Sequence, residues 1–200
     1  MSIPQFTPAS PVPVAPYVAD RFYPTGGMVN LAGTTAATDV VRLYPFVLRA
    51  QMTVTALMAR VTTTGGGSFQ LAIYANNLAT MRPAGAVLAR TADMLSTSAA
   101  TVTGNVVGGN VVLPAGIYWA ASNVDATSDT TIFQAINVNQ AVQTDIAGAL
   151  TADTASSAGS QSTVTYTTPM AYNTWSTMTG ATLTEVTGLT PAAHVWMKAA

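Results

Sequence analysis

From Val40 onward the apolar positions read as strands. Val40, Val41, Leu43, Tyr44, Phe46, Val47 and Leu48 form an apolar run broken only by Arg42 and Pro45. In the next run Met52 and Val54 share one phase of a period-two repeat, whereas Leu57, Ala59 and Val61 share the other. A one-residue slip near Thr55–Ala56 predicts a β-bulge or strand bend there. Gly65-Gly66-Gly67 predicts a hairpin turn. Phe69, Leu71 and Ile73 then alternate with Gln70, Ala72 and Tyr74, the pattern of a half-buried strand. Asn76-Asn77 ends it, and a loop with Met81-Arg82-Pro83-Ala84-Gly85 leads to a short strand at Val87-Leu88-Ala89. Val111–Leu113, a Pro114-Ala115-Gly116 turn, the aromatic strand Ile117–Ala121 and Thr131–Ile136 follow. Val164, Tyr166 and Met170 mark a short edge strand, and Pro191–Lys198 a closing one.

Strands separated by turn signals, without an amphipathic helix between them, predict an all-β fold. The expected form is an antiparallel, jelly-roll-like β-sandwich over residues 29–200, with a long Ala/Ser/Thr/Gly-rich loop at about 139–190. Residues 1–28 are expected to stand apart. Pro4, Pro8, Pro11, Pro13, Pro16 and Pro24 deny that stretch a helix or a central strand. Yet Phe6, Val12, Val14, Tyr17, Phe22 and Tyr23 give it apolar side chains to bury. It reads as an extended attachment arm that lies on a neighbouring subunit.

Composition narrows the function. Of the 200 residues only 8% are charged, seven basic against eight acidic. No basic stripe is available to displace counterions from nucleic acid, and no polybasic patch to meet a membrane. About one residue in six is Thr, which covers a β-surface without charge. Such a surface suits a protein packed into an assembly. The chain contains no cysteine, which excludes disulfides and thiolate chemistry. MSIPQFTPAS carries no secretory pattern, and no apolar stretch is long enough for a spanning helix.

Candidate chemistry is sparse. His194 is the sole histidine, and no serine sits in a nucleophile elbow. Asn123, Asp125, Thr127 and Asp129 occupy alternate positions, as oxygen ligands do in a calcium loop. Ser128 and Gln134 stand where such a loop needs Gly and Glu, so Asn123, Asp125 and Asp129 are weak ligand candidates and no metal or cofactor is expected. Asp20, Asp39, Asp93, Asp145, Asp153 and Glu185 are scattered rather than paired for glycosidase work. Gly65-Gly66-Gly67 lacks the Lys-Ser/Thr of a phosphate loop. Trp119 and Trp196 lie on strands and are expected in the core or an interface. Tyr172 and Trp175 fall in a polar loop without alternation and are the candidates for a glycan-contacting tip, the alternative being that the loop folds back onto its own domain.

The stretch from Leu43 to Trp119 resembles a known module. Leu43-Tyr44-Pro45-Phe46 is followed by the slipped strand ending Ala59-Arg60-Val61-Thr62-Thr63, the glycine turn and Phe69-Gln70-Leu71-Ala72-Ile73-Tyr74. Leu113-Pro114-Ala115-Gly116-Ile117-Tyr118-Trp119-Ala120 comes next. This is similar to the β-sandwich module of tailed-bacteriophage fibres, decoration proteins and minor tail proteins. The resemblance implies an assembled, often trimeric, virion surface protein, on head or tail, bound to itself and to other virion proteins. A glycan- or receptor-binding module of a tail fibre is the alternative. A glycan-cleaving enzyme is a third class with no residue pattern in its favour.

Overall fold

The computed structural model describes residues 17–25, 29–35, 38–125, 132–136, 165–186 and 193–200. Among them are strands and turns but no helix. The strands are β1 (Phe22–Pro24), β2 (Val29–Thr35), β3 (Val40–Leu48), β4 (Met52–Thr63), β5 (Ser68–Asn77), β6 (Arg82–Arg90) and β7 (Met94–Leu95). They continue as β8 (Thr101–Asn105), β9 (Val111–Leu113), β10 (Gly116–Val124), β11 (Ile132–Ile136), β12 (Thr165–Pro169), β13 (Thr184–Val186) and β14 (Trp196–Ala199). They form two antiparallel sheets, the all-β sandwich that the sequence predicts. The first sheet is centred on β4, with β14 and then β11 along one edge and β9 and then β8 along the other. β1 extends it beyond β14, and β2 beyond β11. The second runs β13-β12-β3-β10-β5-β6, with β7 also on β5.

The facing sides of the sheets enclose one core. Leu57, Ala59 and Val61 of β4 and Val195 and Met197 at β14 meet Tyr44, Phe46 and Leu48 of β3 and Phe69, Leu71 and Ile73 of β5. Phe69 and Phe133 pack edge to face across the gap, their centroids 4.9 Å apart. The slip in β4 is a true bulge. Lys198 pairs with Ala56 and Ala199 with Val54, so Thr55 is the extra residue and Ala56 and Leu57 are both buried.

Three expectations are corrected. The triple-glycine turn does not close a hairpin. β4 and β5 lie in different sheets, and residues 64–67, with Gly66 at φ 82°, carry the chain from one to the other. Second, β5 is buried on both faces. Gln70, Ala72 and Tyr74 lie on the outer side of the second sheet, beneath the segment 165–183. Third, that segment holds more than the short edge strand expected at Val164, Tyr166 and Met170. β12 pairs with β3 over Val40–Leu43, β13 pairs with β12, and Met170, Trp175 and Met178 fill a second apolar core with Val41, Leu43, Ala72, Tyr74, Trp119 and Ala121. Backbone bonds tie this strap to β6, Met178 N donating to Gly85 O at 2.8 Å.

Part of the stretch expected as an arm belongs to the first sheet. Phe22 and Tyr23 belong to β1, which pairs with Trp196–Lys198 of β14. Tyr23 and Tyr17 pack against the main core and against each other, ring centroids 4.7 Å apart. Pro24 fits because β1 is an edge strand that needs no second ladder. Phe6, Val12 and Val14 lie outside the described residues, as does the loop at 139–164.

Candidate functional site

The densest polar arrangement lies where the strap meets the outer face of the second sheet. Gln70 of β5 and Asn123 of β10 are direct cross-strand partners and point to the same face, each 1% exposed. A buried carboxamide is costly unless its donors and acceptor are satisfied. Gln70 Nε2 donates to Asp93 Oδ1 at 2.7 Å and to Asn173 Oδ1 at 3.0 Å, and Gln70 Oε1 accepts the indole N–H of Trp175. Asn123 Nδ2 donates to Met170 O at 3.2 Å, while its buried Oδ1 has no partner among the described residues. Tyr172 donates its hydroxyl to Asp93 Oδ1 at 2.8 Å, while its backbone N–H meets Asp39 Oδ1 at 2.9 Å. Asn173 and Trp175 adopt left-handed backbone, φ 62° and 34°, which turns the indole down onto Gln70.

Chemically this is a fixing network. Burial and the Asp93 carboxylate hold the Tyr172 phenol far above its ordinary value, so it stays protonated. The carboxamides carry no titrating proton. The arrangement anchors a segment of irregular backbone to a sheet.

The residues singled out from the sequence fall as follows. Trp175 is only 7% exposed and packs beside Tyr74, so its ring offers no face to a sugar; the aromatic tip gives way to the other alternative, a loop folded back onto its own domain. Tyr172 is half-buried with its hydroxyl engaged. The pattern misled because the strap lacks alternation, and nothing in its local sequence says that a second apolar face lies beneath it. Asn123 is used to hold the strap. Asp125 continues the edge of β10, accepting Ser68 N–H at Oδ2 (2.8 Å) and donating its own N–H to Ser68 O. Asp129 lies outside the described residues. Among the described residues no three acidic or histidine side chains converge. Trp119 is fully buried, its indole N–H donating to Asn76 Oδ1 at 2.8 Å.

His194 is 1% exposed, its ring lies tilted against Trp196 with centroids 5.1 Å apart, and neither ring nitrogen has a hydrogen-bond partner among the described residues. Burial pushes its imidazole down to about 4, so it is neutral at pH 7.

A second constellation was not foreseen. Tyr44 of β3 accepts the backbone N–H of Val195 at 2.8 Å and hydrogen-bonds Thr25, whose hydroxyl donates to Val195 O at 2.6 Å. These three residues join the end of β1, the second sheet and the approach to β14. Compared with protein-family models, with curated proteins and with solved structures, the chain matches none.

Proposed function

We propose that the chain is a non-enzymatic structural protein of a phage virion surface, a decoration, head-fibre or tail-fibre component that assembles as a homotrimer. The observation that supports this best is the use made of its polar and aromatic side chains. Gln70, Asp93, Asn123, Tyr172 and Trp175 bind a strap to a sheet, and Tyr44 and Thr25 bind the sheets to each other. The chemistry-bearing residues serve rigidity. The sparse charge, 8% of residues, is in keeping with a surface that meets other protein surfaces. The uncharged, proline-rich stretch before Tyr17 is in keeping with an attachment arm.

Immunogold labelling of intact particles with antibody to the folded protein tests the reading. Regular decoration of the particle supports it. Label confined to lysed-cell debris, with bare particles, contradicts it.

A further inference from the structure

Two grooves meet on the strap. One, of about 210 Å³, lies between the strap and the β5–β6 turn, where Asn77, Thr80, Arg82 and Leu183 line it. The other, of about 530 Å³, runs past Thr168, Thr174, Ser176, Thr177 and Thr182. They share Thr179, Gly180 and Ala181. Hydrogen bonds fix these walls in advance. Met178 N donates to Gly85 O at 2.8 Å, Gly85 N donates to Thr179 Oγ1 at 3.1 Å, and Ala181 N closes a turn on Met178 O at 3.2 Å. Among the described residues Arg82 is the only charged side chain lining either groove, and it forms no ion pair. Its guanidinium lies over the Tyr166 ring, 5.5 Å from the centroid. Contact through the flat face leaves the N–H edge available to a planar anion. Asn77 is the direct partner of Arg82 across β5 and β6. Its Oδ1 accepts the N–H groups of Ala79 and Thr80 at 2.9 and 3.3 Å, so its amide N–H groups remain to donate to a ligand.

One cation among many hydroxyls selects the ligand. Ser and Thr hydroxyls both donate and accept, as sugar hydroxyls do, whereas a guanidinium fork fits a carboxylate. Nucleic acid would need a row of cations along the groove. A peptide would add to a free strand edge or fill apolar pockets, and β6 is tied to the strap here. We propose that these grooves bind an acidic saccharide. Its carboxylate meets Arg82 and Asn77, and its neutral sugar units lie along the threonine-lined groove. Arg82 and Asn77 belong neither to the anchoring network nor to the two cores, so the site goes beyond the structural role. Glu185 is paired with Tyr166 across β12 and β13, and its neutralisation is therefore part of the test.

Saturation-transfer NMR titrations of the full chain use two probes, sialyllactose and a hyaluronan tetrasaccharide, each beside its carboxyl-reduced form. The expected result is binding of at least one acidic probe, about tenfold or more tighter than its reduced form. Arg82→Gln should weaken that binding about tenfold or more. Asn77→Asp keeps the oxygen that caps the turn but replaces the amide donors with negative charge, and should weaken it as much. Both variants are expected to melt as wild type does. Glu185→Gln should bind as tightly as wild type or more tightly. Binding of neither probe overturns the inference, as do equal affinity for the reduced forms and affinity that survives Arg82→Gln or Asn77→Asp. Tetraglutamate binding as tightly as the saccharides overturns it too, and assigns the grooves to acidic peptides. A loss of about tenfold in Glu185→Gln also overturns it, because an acid rather than Arg82 then makes the deciding contact.

Discussion

The backbone N–H of Val195 donates to the hydroxyl of Tyr44 at 2.8 Å, linking the approach to β14 in one sheet to β3 in the other. The same hydroxyl meets Thr25, so a single buried oxygen holds three separate stretches of chain. Tyr44→Phe keeps the ring and leaves the Val195 N–H without its acceptor. The expected cost is about 1–3 kcal/mol, read as a lower urea midpoint with an unchanged slope. An unchanged midpoint contradicts this role.

The Gln70–Trp175 pair makes a separable claim about the strap. Trp175→Ala empties the second core and is expected to cost about 3–5 kcal/mol. Trp175→Phe keeps much of the volume but leaves Gln70 Oε1 unpaired, and should cost less, about 1–3 kcal/mol. If Trp175→Ala melts like wild type, the indole does not seat under the strap.

His194 sets a pH dependence. Its imidazole falls from 6.5 to about 4 on folding because burial disfavours the cation. Between those values the unfolded chain binds a proton that the folded chain excludes, so stability falls as pH drops from 6.5 toward 4 and levels off below. The loss is of order 3 kcal/mol. Denaturation midpoints between pH 7 and 4 for wild type and His194→Phe measure it, since the variant lacks this component. Parallel pH profiles rule the assignment out.

Tyr17, Tyr23 and Thr25 are built into the sandwich, which leaves residues 1–16 for the proposed arm. Removal of residues 1–16 spares β1 and should leave cooperative melting intact while weakening self-association. Removal of residues 1–25 also takes β1, Tyr17, Tyr23 and Thr25, and should lower stability by several kcal/mol. Equal melting of the two truncations would place the boundary after Thr25.

Much of the frame is legible from residues. The phase change between Val54 and Leu57 locates the bulge at Thr55, and Leu113-Pro114-Ala115-Gly116 locates the turn between β9 and β10. Pairing partners are not legible. Gly65–Gly67 specifies a tight change of direction but not which strand comes next to β4. The second core escapes notice because Ala72 and Gln70 look like a solvent face until Met170, Trp175 and Met178 are laid over them. Phe22 and Tyr23 are hidden by their prolines, which an edge strand tolerates. The anchoring network draws Gln70 of β5 together with Asp93 of the β6–β7 connection, a proximity that no local spacing encodes.

We propose that this chain is a stoichiometric part of a virion. Quantitative mass spectrometry of gradient-purified particles tests it most directly, counting this chain against the major capsid protein. The expected result is a constant copy number per particle, divisible by three, that survives repeated purification. Absence of the chain, or an amount that falls with each purification step, contradicts it.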